Sequence, residues 1–83
     1  MLKFIRTTYE KLVETEYEDF ELDYACSEMS ESYWNGESTN QAIIDEENNI
    51  IYVMNYNQDI IQDYPDYEVI LAEDVDTSEE DYV

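Results

Sequence analysis

Basic residues are scarce in this sequence. Of its 83 residues only 3 are Lys or Arg, and histidine is absent. Phosphate binding requires clustered Lys or Arg, so direct binding of nucleic acid is not expected. Without histidine there is no Ser-His or Cys-His nucleophile pair and no usual general base near neutral pH. A single cysteine, Cys26, excludes an intrachain disulfide and a Cys/His zinc cluster.

Long apolar runs are also missing. The first 13 residues contain no apolar stretch of the length that a signal peptide requires. No run approaches the roughly 20 residues of a membrane-spanning helix, and acidic membrane surfaces would repel the chain. We therefore expect a soluble, cytoplasmic protein that binds no membrane.

Acidic and apolar residues dominate instead. The 23 Asp and Glu give a net charge of −20, whereas roughly 2–8 charges are usual for a small domain. All three basic residues precede position 12 and are expected to pair locally with acids. Apolar residues form 43% of the chain and nine residues are Tyr, which predicts a folded domain with a thin, Tyr-rich core. We expect one domain over residues 1–73 and a flexible acidic tail over 74–83.

The first twenty residues have a helical pattern. Thr7-x-x-Glu10 matches a capping box. Apolar residues then recur at helical spacing, which predicts a helix over about 8–18. Residues 2–6 fit either the first turns of this helix or a short preceding strand.

A different pattern follows. Apolar residues alternate with acidic and small residues over 20–26, which predicts a half-buried strand with an acidic outer face. Residues 27–34 fit a short helix that ends at Asn35-Gly36, but Asn-Gly also favours a tight hairpin turn.

The pattern of the second half of the chain predicts mainly strands. Residues 42–44 and 50–54 predict a hairpin around a polar turn, and the second strand, apolar on both faces, is expected to be central. Residues 57–64 predict a helical turn stopped by Pro65, and 67–72 predict a last strand. The expected fold is α+β, with a small antiparallel β-sheet of about three or four strands, one principal N-terminal helix and short helical turns.

Carboxylate chemistry does not single out a reactive site. Catalytic carboxylates need a pocket that separates their pKa values, and a small chain of this charge offers little shelter, so we do not expect an enzyme. Asp74-x-Asp76-x-Ser78 has the opening spacing of an EF-hand loop but lacks the glycine at the sixth position. No metal site and no cofactor are expected.

The density of negative charge is close to that of DNA. Duplex DNA carries one charge per roughly 1.7 Å of its axis, so twenty charges occupy about 34 Å. A compact domain of this length has a radius of gyration near 12 Å, which corresponds to a diameter of about 30 Å. The two charge densities agree within the error of the estimate.

In size, composition and charge, residues 12–83 resemble the small acidic DNA-mimic proteins of phages and mobile elements. That group includes uracil-DNA glycosylase inhibitors, anti-restriction proteins and anti-CRISPR proteins. The resemblance lies in charge and composition and transfers no individual residue. It implies a stoichiometric inhibitor that occupies the DNA-binding cleft of a host defence enzyme. The expected target is a CRISPR effector or a restriction nuclease, or alternatively a uracil-DNA glycosylase, and the site of action is the host bacterial cell.

Under this interpretation, carboxylates replace DNA phosphates on the Lys and Arg of the target, and aromatic side chains add contacts that DNA lacks. Trp34 fits either such an interface anchor or a small core. The predicted partner-binding residues are Glu18, Asp19, Glu21, Asp23, Glu28, Glu31, Trp34, Asp45, Glu46, Glu47, Asp59, Asp63, Tyr64, Asp66, Tyr67 and Glu68.

The alternative is an acidic adaptor that binds a basic nucleoid or ribosomal protein without blocking catalysis. Competition between DNA and this chain for the partner distinguishes the two functions. In both cases the partner is a basic protein, and the chain is a monomer or a homodimer.

Overall fold

The computed structural model describes residues 1–7, 11–36 and 40–75, and it contains one α-helix and five β-strands. In chain order these are β1 (Leu2–Thr7), β2 (Leu12–Tyr17), α1 (Leu22–Trp34), β3 (Gln41–Asp45), β4 (Ile50–Val53) and β5 (Glu68–Leu71). Short 3-10 turns cover Asp19–Glu21, Asp59–Asp63 and Ala72–Asp74. The fold is therefore α+β, as the sequence predicts.

The strands form one mixed sheet in the order β2-β1-β3-β4-β5. Three neighbouring pairs are antiparallel, and β4 pairs with β5 in parallel. The expected antiparallel sheet of three or four strands is wrong on both counts. Residues 54–67 explain the parallel pair, because a connection of about a dozen residues is long enough to return the chain to the same end of the sheet.

Apolar side chains pack on both faces of the sheet. On one face Leu2, Phe4 and Ile43 pack with Tyr52 and with α1. On the other face lie the buried residues Ile5, Ala42, Ile44, Ile51 and Val53, together with Ile60 of the 59–63 turn. Two covered faces explain why the strands at 42–44 and 50–53 are continuous apolar runs rather than alternating ones. The predicted central position of β4 is confirmed, since it lies between β3 and β5.

The helix predicted over 8–18 is wrong where the structure describes it. Residues 12–17 form β2, and 8–10 lie outside the described residues. The β-branched side chains of Val13 and Thr15 favour a strand, and β2 pairs along the full length of β1. Hydrogen bonds to a neighbouring strand thus outweigh the local helical spacing.

The strand predicted over 20–26 is also wrong, because these residues enter α1 through a 3-10 turn. The helical period is difficult to recognise in the sequence, because the buried face of the helix includes small side chains that contribute little to an apolar pattern. The exposed Phe20 and Tyr24 produce the misleading alternation. The buried residues of the helix are Ala25, Cys26, Met29 and Ser32, which do recur at helical spacing.

Several other sequence predictions are confirmed. Residues 2–6 lie in a strand, and the helical alternative for 27–34 is correct, with Gly36 following the helix at a φ of 74°. The hairpin around 45–49, the turn before Pro65 and the last strand are all present. Of the predicted tail, Asp74 ends a 3-10 turn, while residues 76–83 lie outside the described residues.

Within the described ranges, no helix is both long enough and apolar enough to cross a membrane.

Candidate partner-binding surface

One end of the sheet carries a concentration of acidic residues. Leu2 at the start of β1 lies opposite both Tyr17 and Asp45, and Ile50 at the start of β4 lies opposite Asp45 and Glu68. Acids that are distant in sequence therefore meet at this end. We call it the acidic end and define it by Glu16, Glu18, Asp19, Glu21, Asp45, Glu46, Glu47, Asp66 and Glu68.

Most carboxylates of the acidic end face solvent. Seven of its nine members are exposed, and the exceptions are Glu21 and Asp45. Asp45 is buried, and its carboxylate accepts hydrogen bonds from the backbone N–H of Asn48 at 3.3 Å and from Asn48 Nδ2 at 2.9 Å. Asp45 therefore holds the β3–β4 turn, and the adjacent Glu46 and Glu47 are the residues that this turn presents outward.

Two cations lie among these acids. The amino group of Met1 is 2.9 Å from Asp19 and 3.8 Å from Glu47, and Lys3 Nζ is 3.7 Å from Glu46. A hydrogen bond with the Asp19 carboxylate raises the pKa of the Met1 amino group, and the same bond lowers the pKa of Asp19. The expected local pairing is confirmed for Lys3. Two cations do not neutralise nine carboxylates, so the acidic end stays strongly negative.

Arg6 lies toward the other end of β1, opposite Val13 and Gln41. Its Nη1 donates a hydrogen bond to Ser32 Oγ at 3.3 Å, and its guanidinium lies 5.5 Å from the ring centre of Phe4. Arg6 thus joins β1 to α1 and sits away from the acidic end.

The acids of the acidic end follow the order of the strands. Glu16 and Glu18 come at the end of β2, Glu46 and Glu47 lie between β3 and β4, and Glu68 begins β5. Five strands spaced about 4.8 Å apart span roughly 19 Å. Duplex DNA carries about eleven phosphates over 19 Å, so the two rows of charge are of the same order.

Helix α1 begins beside the acidic end. Its positive N-terminal dipole is favourable for nearby carboxylates such as Asp19 and Glu21. The backbone N–H of Glu18 donates to Glu21 Oε1 at 2.9 Å, which fixes the entry into the 3-10 turn before the helix. These acids therefore have a structural role as well as an available charge.

Exposed aromatic residues border the acidic end, and the sequence pattern does not predict their exposure. The side chains of Phe20 and Tyr24 are 83% and 56% exposed. Tyr24 contacts Tyr17 edge-to-face, with 5.7 Å between ring centres. The false strand pattern assigned both residues to an inward face; the signal that could have corrected it is the spacing of Ala25, Cys26 and Met29.

The predicted partner-binding residues separate into groups. The acidic end contains Glu18, Asp19, Glu21, Asp45, Glu46, Glu47, Asp66 and Glu68, and Tyr67 immediately precedes Glu68. Tyr64 and Tyr67 are half-buried, with 5.1 Å between their ring centres, and pack on the second apolar cluster. Burial raises the pKa of Tyr64. Exposed Asp63 precedes Tyr64, and half-buried Glu28 lies on α1.

A second group lies apart from the acidic end. Asp23, Glu31 and Trp34 line a groove along α1, and Trp34 and Asp59 line a neighbouring one. Trp34 is 75% exposed, so of the two alternatives for this residue the core position is wrong. The structure thus divides the predicted site into two surfaces.

The described residues also bear on metal chemistry. Over 1–7, 11–36 and 40–75, no group of three or more His, Cys, Asp or Glu side chains is arranged to hold a metal ion. Of the motif Asp74-x-Asp76-x-Ser78, only Asp74 lies within these ranges.

No protein-family model matches the chain, and no curated protein or solved structure shows significant similarity to it.

Proposed function

We propose that this protein is a DNA-mimic inhibitor that occupies the DNA-binding cleft of a basic partner protein. The observation that carries the proposal is the acidic end, where strand ends and the start of α1 hold nine carboxylates together. Strand ends, a 3-10 turn and the β3–β4 turn position most of these charges, so binding would require little further ordering of the chain. The favoured target class is a defence nuclease, such as a CRISPR effector or a restriction enzyme, acting in a bacterial cell.

The size of the molecule supports this proposal. Its longest dimension is 40 Å and its net charge is −20, whereas twenty charges occupy about 34 Å of duplex. A cleft that holds roughly one turn of DNA therefore accommodates this chain with a similar number of charges. Inhibition would be competitive and stoichiometric, because the protein and DNA use the same Lys and Arg of the target.

Association should be electrostatically steered. Complementary charge accelerates encounter, and salt weakens that acceleration as the Debye length falls from about 30 Å at 0.01 M to about 8 Å at 0.15 M. The exposed side chains of Phe20 and Tyr24 would add apolar contacts next to the charges. DNA backbone lacks such contacts, so they would give preference for one target.

The first test is capture of partners from a bacterial lysate at about 50 mM salt, where screening is incomplete. Bound proteins are then eluted with a duplex of about 20 base pairs, roughly twice the length that carries twenty charges. The proposal expects a DNA-binding enzyme that the duplex displaces and that this protein inhibits in a cleavage assay. A partner that binds DNA and this protein together would contradict mimicry and favour the acidic adaptor.

The second test removes charge from the acidic end. In the double variant Glu47→Gln/Glu68→Gln, we expect the association rate with the captured enzyme at low salt to fall about three- to tenfold. The matched control Glu14→Gln/Asp74→Asn removes the same charge from exposed residues that lie outside the acidic end and do not line the grooves beside Trp34. Equal losses in the two variants would mean that total charge, rather than the acidic end, determines binding.

A further inference from the structure

A groove lies between α1 and the ends of β4 and β5. It has a volume of about 580 Å³, within the range of roughly 300–1,000 Å³ typical of ligand-binding clefts. Tyr33, Trp34, Met54 and Ala72 supply aromatic and apolar surface, and Glu31 and Glu73 are among its carboxylates. We call it the Trp34 groove.

Its aromatic wall is held in place by neighbouring residues. Trp34 contacts Tyr33 edge-to-face, with 5.2 Å between ring centres. The Tyr33 hydroxyl accepts a hydrogen bond from Asn55 Nδ2 at 3.1 Å, which ties the end of α1 to the segment after β4. Trp34 nevertheless remains 75% exposed. A large aromatic side chain presented on a fixed support is typical of a binding anchor.

The charge around this groove favours a cation. Asp23, Glu31 and Glu73 line it, and no Lys or Arg is among the described lining residues. Glu31 and Trp34 lie in the last turn of α1, which contains no basic residue. A helix C-terminus carries partial negative charge, so a bound cation there is stabilised by the helix dipole as well as by the carboxylates.

We propose that the Trp34 groove binds an arginine side chain of the partner protein. A guanidinium group is planar, stacks on an indole ring and pairs with carboxylates through two parallel hydrogen bonds. Lysine offers a point charge without this planar match. The proposal rests on the proposed function for the nature of the partner, since DNA-binding clefts are rich in arginine. Stacking of the guanidinium on the Trp34 ring would be a contact that DNA phosphates do not make.

Charge argues against the chain's own C-terminus as the occupant. Residues 76–83 contain four acids and no base, and like charges would oppose their entry among the groove carboxylates. A phosphate-bearing ligand is disfavoured for the same reason.

The fluorescence of Trp34 tests the proposal directly, because Trp34 is the sole tryptophan of the chain. The probe is the blocked tripeptide Gly-Arg-Gly, titrated into the isolated protein at low salt. Two matched probes replace arginine by lysine and by citrulline, whose urea group has a similar shape but no charge. We expect a saturable change in emission with arginine, weaker binding of lysine and no saturation with citrulline.

Matched variants show which surface binds the arginine probe. In Glu31→Gln/Glu73→Gln we expect the affinity for the arginine probe to fall about tenfold. Glu14→Gln/Asp63→Asn removes the same charge from residues outside both the groove and the acidic end, and it should leave the affinity within about twofold, the residual effect of screened charge. Both pairs are exposed, and circular dichroism verifies that each variant is folded.

Three results would overturn the groove assignment: no saturable change with arginine, equal binding of citrulline, or equal weakening in the two variants. None of these depends on DNA competition. Conversely, saturable binding of arginine in the groove together with failure of duplex DNA to displace the captured partner would overturn only the proposed function.

Discussion

Cys26 shows how burial controls the chemistry of a single residue. Its thiol lines the Trp34 groove but is only 5% exposed. Desolvation, with a smaller contribution from the Asp23 carboxylate, raises the pKa of Cys26 from its ordinary value of 9.0 to about 11. The thiolate is the reactive form of cysteine, so this side chain is unreactive near neutral pH and acts as a small apolar residue of the core.

The shifted thiol pKa predicts a loss of stability in alkali. Because the unfolded thiol ionises first, the stabilisation is complete below about pH 9 and is lost as the pH rises through about 11. Urea unfolding between pH 8 and 11 should show a larger loss for the wild type than for Cys26→Ala, by up to about 2–3 kcal/mol. The variant also serves as the control for tyrosine ionisation, since burial raises the pKa of Tyr52 as well. An equal loss of unfolding free energy with rising pH in the wild type and in Cys26→Ala would contradict this prediction.

At the scale of elements, the end of α1 depends on one glycine. Gly36 has a φ of 74°, and its backbone N–H donates to the Tyr33 carbonyl at 3.1 Å. A β-carbon at this position would meet no heavy atom within 4 Å. Any cost of substitution therefore comes from the left-handed backbone and not from steric contact.

Substitution of Gly36 tests this conformational requirement. Gly36→Ala should lower the free energy of unfolding by about 1 kcal/mol, because alanine disfavours the left-handed region. Gly36→Asn should lose less, since asparagine adopts that conformation more readily. Both values come from urea unfolding followed by circular dichroism. A larger loss for asparagine than for alanine would mean that the side chain itself is excluded.

Some elements were predictable from sequence and others were not, for identifiable reasons. The strands at 42–44 and 50–53 were predictable because buried apolar runs leave few alternatives. The helix and strand assigned to 8–26 were exchanged, because β2 is an exposed edge strand and α1 buries small side chains. In these two segments, strand pairing with β1 and helix packing on the sheet outweigh the structural preference that the local spacing of apolar residues indicates.

The candidate site follows the same division. The excess of acids was evident from composition, but their grouping depends on strand register. Asp45 and Glu68 lie at the same end of the sheet because both are opposite Ile50, and the sequence pattern does not predict the parallel pairing of β5 with β4 on which this depends. The exposure of Trp34 likewise could not be predicted, because the pattern of residues 27–34 does not show which part of the helix the sheet covers.

At the scale of the whole molecule, net charge opposes the compact state. The chain has a net charge of −20, and the radius of gyration of the fold is 12.2 Å. All but four described acids are exposed, the exceptions being Glu21, Asp23, Glu28 and Asp45. Repulsion between exposed charges is screened by salt, so the stability of the fold should depend on the salt concentration.

The melting temperature should therefore rise with salt. Between about 10 mM and 200 mM sodium chloride the Debye length falls from roughly 30 Å to below 8 Å, which removes most repulsion across the molecule. Thermal unfolding followed by circular dichroism measures the effect. Glu47→Gln/Glu68→Gln, with less charge, should show a smaller rise. A melting temperature independent of salt would contradict this account of the charge.

The exposed edge of β2 has a consequence for how copies of the chain meet one another. An open strand edge is a template on which another strand can add, and sheets extended in this way grow into aggregates. Glu14 and Glu16 lie on β2, and Glu68 lies on β5 at the other edge. Two copies aligned edge to edge would place like charges opposite one another, which is unfavourable. We therefore expect mutual repulsion along these borders to disfavour edge-to-edge association of two copies, even at high protein concentration.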